Sequence, residues 1–481
     1  MNRQYADFKN WLKDKKIAVI GLGISNRPLL KLLAEQDLNL SAFDRMPADS
    51  ELAVKLKDEY RDLGYEVRWY LGDDYLDNLN GFDLIFRTPI MMPYNKYLLA
   101  EKARGAIITS EMEVFLEYCP GKTFAVTGSD GKSTTTSLIY AMLKQQTDDV
   151  YIGGNIGRPL LADLDQMTEQ SKVVLELSSF QLIDLHVSPN VAVLTNATPN
   201  HLDVHQDYAE YVEAKKQLYS HQSNQDKVII NGNFTEFAVD WPQLKGELIW
   251  FNQRYGECRH QVYQRQSGQL GYCARGSDLF VALLQEADLH LMGDFNLENC
   301  LAAMAAVQDD VSLDNIKTAV RNFKGLEHRL EFIREIDQVR FYNSSIDSSP
   351  ERSKHTLSAF IQQGTPTVLI MGGKDKNSDY RGLGRIVAAA TDKLILCGAN
   401  AELIENQVRK EAHLIGKSVS SMQIFHCDNY EDALEKACRL ALPGESVILS
   451  PAGTSFDRFN NFEERGNYFK KLVNGLFGGY Q

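Results

Sequence analysis

Long apolar runs are missing: no stretch of about 18 apolar residues occurs, so no transmembrane helix or stable membrane insertion is expected. The opening segment, Met1 to Lys16, is polar and charged. It lacks the apolar core and small-residue cleavage site of a signal peptide, so a cytosolic location is expected. Positive charge is in deficit. A net charge of −13 argues against general nucleic-acid binding, which needs a basic surface. Anionic substrates would therefore have to be held by a few local basic residues. Cysteine is sparse: seven residues with no CxxC pair give neither a zinc site nor a disulfide framework, and fit reduced thiols in the cytosol. Short repeats and low-complexity segments are also absent.

What is present is a repeated alternation of short strands and helices. The 481 residues favour about three domains. Apolar runs at Ile17 to Ile20, Leu40 to Phe43, Phe82 to Phe86 and Ala106 to Ile108 predict strands of a first parallel sheet. Thr123 to Thr127, Val173 to Leu177 and Val191 to Thr195 begin a second, with further strands at Val228 to Ile230 and Ile249 to Phe251. Residues 257–290 read as polar and irregular with hairpin-like pieces. Strands at Val339 to Tyr342, Thr367 to Met371, Lys393 to Leu396 and Ser446 to Ser450 predict a third α/β unit.

The segment Gly128-Ser129-Asp130-Gly131-Lys132-Ser133-Thr134 falls between a strand and a helix, which is the context a phosphate loop requires. Glycine lets backbone N–H groups approach phosphate oxygens, and the helix N-terminus adds partial positive charge. Lys132 can reach terminal phosphates and the Ser133 hydroxyl can ligate Mg²⁺. The pattern GxxxxGK[ST] would want glycine at 126; Val126 makes this a variant loop. Gly21-Leu-Gly23 lacks the third glycine of a dinucleotide fingerprint, with Asn26 in its place, so NAD is not expected there.

In order after that loop come Gly154-Asn155-Ile-Gly, Glu176-Leu-Ser-Ser179-Phe-Gln181-Leu, Asn200-His201-Leu-Asp, Tyr211-Val-Glu-Ala-Lys215, Gly325-Leu-Glu-His-Arg329-Leu-Glu and the long block from Ser450 to Gly466. This ordered set resembles the Mur ligases across essentially the whole chain, and most of all their D-glutamate-adding branch. The resemblance implies an α/β protein of three domains in series. They are an N-terminal Rossmann-like UDP-sugar domain (1–109), a central P-loop ATPase-like domain with a mostly parallel sheet (110–325), and a C-terminal Rossmann-like amino-acid domain (326–481). It implies ATP and two Mg²⁺ sites as cofactors, UDP-N-acetylmuramoyl-L-alanine and D-glutamate as substrates, and a monomer. The implied reaction makes an acyl phosphate, which an amine then opens. Another amide ligase of the superfamily, of folylpolyglutamate synthase type, and a catalytically silent nucleotide-binding regulator are the alternatives.

The resemblance assigns Lys132, His201, Lys215 and Arg329 to catalysis, and Ser133, Glu176, His201 and a carbamylated Lys215 to the metals. Asn299 and Arg329 join the phosphate loop at ATP. Gly23, Ile24, Ser25, Asp44, Arg45 and Thr88 match the UDP region. Asn155, Ser179 and Gln181 match further substrate contacts, and Ser348, Lys376, Ser455 and Phe462 the amino-acid site. Without the resemblance, Lys215 beside Lys216 reads as a solvated helix face. Three positions depart from the family pattern: Phe295 stands where a histidine is usual, Ser344 where an aspartate is usual, and Ile90 where a glycine is usual. Asp347, three positions past Ser344, could replace the missing acid, and Ile90 could narrow the diphosphate site.

Overall fold

The computed structural model describes residues 3–198, 204–234, 244–252, 260–291, 293–375 and 378–476. The chain divides into two compact units, one of Met1–Asp288 with Glu298–Arg321 and one of Leu289–Leu297 with Asn322–Gln481.

The first unit carries two sheets. Strands β1 (Lys16–Ile20), β2 (Asn39–Asp44), β3 (Val67–Leu71), β4 (Leu84–Phe86) and β5 (Ile107–Thr109) form an all-parallel sheet in the order β3-β2-β1-β4-β5. Its order reverses between β1 and β4, so the loops after those strands border the crevice where open α/β sheets bind ligands. The second sheet comprises β6 (Lys122–Thr127), β7 (Val150–Gly154), β8 (Lys172–Glu176), β9 (Val191–Leu194), β10 (Lys227–Asn231), β11 (Glu247–Phe251), β12 (Gln261–Gln266), β13 (Gln269–Cys273) and β14 (Phe280–Gln285). Its order is β14-β13-β12-β11-β10-β9-β6-β8-β7; only the last hairpins, β12–β13 and β13–β14, are antiparallel. Residues 261–285, read as irregular, thus extend the sheet as three strands. Central strands β6, β8, β9 and β10 are buried along nearly their whole length, as continuous apolar runs in a parallel sheet require.

One apolar cluster runs from Leu29 and Leu33 beside the first sheet to Leu161 and Leu164 beside the second. At this junction Ser110 caps the helix Glu111–Tyr118 by accepting from the Glu113 N–H at 3.1 Å. Lys9 pairs with Asp165 at 2.7 Å. Glu111 is buried, with the Leu161 N–H at 3.3 Å from Oε1, and burial pushes its carboxyl up to about 7. A carboxyl raised above its unfolded value holds a proton that the unfolded chain has released. This group's contribution to stability is therefore complete below the unfolded pKa and lost as pH rises through about 7. Glu111→Gln should flatten that decline and raise the melting temperature at pH 8 by several degrees. Melting curves from pH 5 to 8 check it; parallel wild-type and variant curves would count against it.

The second unit holds β15 (Glu331–Ile336), β16 (Val339–Asn343), β17 (Thr367–Met371), β18 (Thr391–Leu396), β19 (Gln423–His426) and β20 (Ser446–Leu449), in the order β15-β16-β20-β17-β18-β19. Only β15–β16 is antiparallel. Among the described residues no helix is long and apolar enough to cross a membrane.

Candidate active site

Strand β6 ends at Thr127, whose hydroxyl donates to the Leu177 carbonyl at 2.8 Å, and the chain turns through Gly128–Gly131 into the helix Lys132–Gln146. Gly128 has φ +154°, and a Cβ there would lie 1.9 Å from Thr195 Oγ1. Gly131 has φ +79°, and its Cβ would lie 2.3 Å from Asn299 Oδ1. Both glycines are therefore demanded by backbone shape and by close neighbours. Gly128→Ala should misplace the loop and cost about 10²-fold in ATP-dependent turnover, read from kcat/KM for ATP. A variant with unchanged kcat/KM would show the loop to be more pliant than its contacts imply.

Thr195 and Asn196, which the sequence reading did not single out, shape this loop. Asn196 Oδ1 accepts from the Ser129 and Asp130 N–H groups at 3.0 and 2.8 Å, and Thr195 Oγ1 donates to the Asp130 carbonyl at 2.6 Å. Two of the backbone donors expected to cradle phosphate are thus tied to β9's trailing loop. The helix's own first N–H groups, which have no intrahelical acceptors, are left to face an anion. Asn299 stands against the loop as expected, accepting from Thr135 Oγ1 at 3.3 Å. Thr134 is buried and Ser133 half-buried in the helix's first turn.

Two lysines converge on one carbonyl. Lys132 Nζ donates to Gly128 O and Ser129 O, both at 2.8 Å, and Lys215 Nζ donates to Gly128 O at 3.0 Å. Lys215 is 1% exposed, so the solvated-face reading does not hold; its Nζ lies 4.4 Å from the Tyr211 ring centroid. Burial first, then the charge of Lys132, pulls the Lys215 amine well below its ordinary range. The Tyr211 phenol shares a 2.8 Å hydrogen bond with Ser129 Oγ, linking the Lys215 helix (Tyr208–Ser220) to the loop.

Glu176 closes β8, and Gly154 and Asn155 grip it. The Asn155 N–H donates to the Glu176 carbonyl at 2.7 Å, and Asn155 Nδ2 donates to Oε1 at 2.7 Å. Gly154 has φ +96°, and a Cβ there would lie 2.3 Å from the Glu176 carbonyl oxygen. The second carboxylate oxygen, Oε2, is buried with no hydrogen-bond partner among the described residues. An orphaned, buried carboxylate oxygen is costly unless a cation answers it, and a hard divalent ion fits. No group of three His, Cys, Asp or Glu side chains suited to a metal occurs among the described residues. A site here would thus mix donor types, with Ser133 hydroxyl beside carboxylate. His201 lies outside the described residues.

Ser179 and Gln181 sit just past β8. Ser178 and Gln181 form a capping box at the helix Ser179–Leu182, with Gln181 Oε1 accepting from the Ser178 N–H at 3.0 Å. Ser179 Oγ meets His205 Nε2 at 2.9 Å, and His205 stacks on Phe180 with centroids 5.2 Å apart. Nothing in the sequence marked His205.

At the first sheet's reversal, Gly21 (φ +82°) packs against Thr88, whose Cβ would be 2.7 Å from an added Cβ. The Asp44 carboxylate accepts from the Leu22 and Met46 N–H groups at 2.5 and 2.8 Å, fixing the Gly23–Ser25 turn beside it. Arg45 is exposed and pairs with Asp73 at 3.5 Å. Ile24 and Ile90 are 79% and 72% exposed, so Ile90 is not packed into the crevice.

In the second unit, Ser348 follows β16, Ser455 follows β20, and Phe462 opens the helix Phe462–Asn474. Ser455 is buried; the Phe462 ring meets His328 edge-on at 6.1 Å, next to half-buried Arg329. Lys376 lies outside the described residues, but Lys374 exchanges backbone hydrogen bonds with Thr454 at 2.8 and 2.9 Å, which brings the β17 and β20 loops together. Asp347 is buried beside Ser344 and Thr356, whose side chains hydrogen-bond its carboxylate. Its carboxylate turns inward to accept from Ser450 Oγ at 2.7 Å, and burial raises its pKa.

Residues 126–307 match the Mur ligase middle domain, and residues 328–453 the Mur ligase glutamate ligase domain. UDP-N-acetylmuramoylalanine–D-glutamate ligases of Ruminiclostridium cellulolyticum and Acetivibrio thermocellus are 43% and 45% identical to the chain, over 99% of it and 100% of each relative. The chain belongs to the Mur ligase family. Its fold agrees with solved Mur ligases. UDP-N-acetylmuramate–alanine ligase of Thermotoga maritima superposes with a TM-score of 0.55 at 17% identity, covering 96% of this chain and 99% of that one. MurF of Acinetobacter baumannii gives 0.57 at 17%, covering 96% and 92%. The α/β architecture with mostly parallel sheets is thus the Mur ligase fold, and the family's ATP dependence fits the phosphate loop at β6.

Proposed function

We propose that the chain joins D-glutamate to UDP-N-acetylmuramoyl-L-alanine while converting ATP to ADP and phosphate, as a cytoplasmic step of peptidoglycan precursor synthesis. The full-length identity to relatives bearing that ligase name carries the reading. The gathering of Lys132, Lys215 and Asn299 around the phosphate loop, with Glu176 at the end of neighbouring β8, supports it.

In this reading the alanyl carboxylate attacks the γ-phosphorus of ATP, an acyl phosphate forms and ADP leaves. The glutamate amine then attacks the acyl carbon, the C–N bond forms, phosphate departs and the amine loses a proton. The protein's part is orientation and charge neutralisation. Lys132 and the N-terminus of its helix meet the phosphates, and Arg329 answers charge on the transferred group. Ser133 and Glu176 would hold one Mg²⁺, and His201 with carbamylated Lys215 a second; when bound, the ions offset phosphate charge. Asn155, Ser179 and Gln181 face the alanyl end, Gly23–Ser25, Asp44, Arg45 and Thr88 the UDP end, and Ser348, Lys376, Ser455 and Phe462 the amino acid. Residues 1–109, 110–325 and 326–481 would form the three substrate domains of a monomer.

Phosphate release with each substrate omitted in turn tests the reading. Release that does not need both the UDP-sugar peptide and D-glutamate, or that proceeds equally with L-glutamate, would overturn it.

A further inference from the structure

We propose that Arg465 is a positioning residue for the incoming amino acid, its buried positive charge setting the loops of the second unit to receive a carboxylate. The inference rests on the ligase reading above and names a specificity determinant within it.

Arg465 lies on the helix Phe462–Asn474 and is 1% exposed. Its guanidinium reaches the loops that follow three strands. Nε donates to Ser345 Oγ at 2.9 Å and Nη2 to Ser345 O at 2.8 Å, in the β16 loop that continues to Ser348. Nη1 donates to Gly453 O at 3.1 Å, in the β20 loop that continues to Ser455. From the β17 side, Gly373 approaches so closely that an added Cβ would lie 2.9 Å from Nη1. Ser345 Oγ donates in turn to the Phe462 carbonyl at 2.8 Å, closing the ring of contacts on the same helix.

Every one of these acceptors is a neutral oxygen. Among the described residues no Asp or Glu stands within ion-pair distance of Arg465. Asp347, buried in the same β16 loop, gives its carboxylate to Ser450, and burial holds its pKa above the ordinary carboxylate range. A buried cation without a counter-ion is expensive, and bracing three loops needs only hydrogen-bond donors, not a charge. The charge gains a purpose if the missing anion comes with the substrate. The strand order reverses between β20 and β17, so their loops edge the crevice where such a sheet takes its ligand, and Arg465 meets both loops, at Gly453 and Gly373.

Steady-state kinetics on the full chain, with D-glutamate, ATP and the UDP-sugar peptide varied separately, tests this with Arg465→Gln and Arg465→Lys. In the Gln variant KM for D-glutamate should rise about tenfold or more, since the buried charge that sets the loops is lost. KM for ATP and for the UDP-sugar peptide should move less than about twofold, which separates a lost amino-acid contact from general damage. Arg465→Lys, which keeps the charge, should recover most of the D-glutamate KM. A folded Gln variant with unchanged D-glutamate KM would overturn the proposal. So would equal impairment in both variants with all three KM values rising together, because that is bracing alone. Should the Gln variant fail to fold, Ser345→Asp sets a carboxylate against the guanidinium while the arginine stays, and an unchanged D-glutamate KM there overturns it equally. Wild-type enzyme lacking D-glutamate-dependent phosphate release would sink the ligase reading and this inference together, whereas a normal wild type with an indifferent Gln variant sinks only the inference.

Discussion

Lys132→Ala should lower ATP-dependent phosphate release by about 10²–10³-fold or more while the protein still folds. The lysine stands in the first turn of the helix Lys132–Gln146, where the helix dipole already favours an anion, and its ammonium adds a full charge to that partial one. Structurally its loss is modest. Its hydrogen bonds to the Gly128 and Ser129 carbonyls are each worth about 0.5–1.5 kcal/mol net, and Gly128 O keeps Lys215 as a donor. A second effect runs through Lys215: removing the neighbouring cation lifts one of the two influences that depress the Lys215 amine, so its pKa should move back up. Circular dichroism on melting reads the fold and phosphate release reads turnover. A folded variant that retains turnover within about threefold would remove Lys132 from transition-state stabilisation.

The interior of each sheet was legible and the margins were not. Strands β1, β2, β4, β6, β8, β9, β16, β17 and β20 announce themselves as apolar runs because both of their faces are covered. Strands β3, β7, β15 and β19, which went unread, are all sheet edges, and β12–β14, read only as hairpin-like pieces, extend one margin of the second sheet. Val67–Leu71 and Glu331–Ile336 mix charged, aromatic and aliphatic residues without a clean alternation and are only partly buried, so their strand character comes from pairing with a neighbour, which no local pattern reveals. The site divides in a similar way. The phosphate loop was legible because its glycines answer a local backbone demand. Thr195, Asn196 and His205 were not, since their work depends on strands distant in sequence converging on β6 and β8. Lys215 shows the limit most clearly. The letters Lys-Lys on a helix suit a solvated face, yet the helix Tyr208–Ser220 is turned so that both lysines are buried, with Lys216 paired to Glu213 at 2.8 Å. Asp347 shows it from the other side: sequence separation alone says nothing of the buried hydrogen bonds that its carboxylate makes with Ser450, Thr356 and Ser344.

Lys215→Met should remove activity without weakening the fold, an opposition that an ordinary core residue would not show. The amine is buried and donates to Gly128 O, which Lys132 also serves, and methionine is close in volume and apolar. The sign of the stability change follows from its depressed pKa. Between that lowered value and the unfolded value near 10.5, the unfolded chain holds a proton the folded one has lost, so stability from this group rises with pH and is reduced at neutral pH. Methionine removes that cost. The melting temperature at pH 7 should stay level or rise, at about 2–4 °C per kcal/mol for units of this size, and its dependence on pH above neutrality should weaken. Turnover should fall about 10²-fold or more, because a buried amine held below its ordinary range is what can add to CO₂, lose a proton and become the anionic carbamate the ligase reading needs beside the phosphates. Lys215→Arg separates the parts: it sets a permanent cation beside the Tyr211 ring and does not form that carbamate, so it should be as inactive as the methionine variant and less stable. Calorimetry across pH paired with phosphate release checks both variants. A methionine variant that melts several degrees lower yet turns over normally would make Lys215 a structural prop, with its convergence on Gly128 serving the loop and not the chemistry.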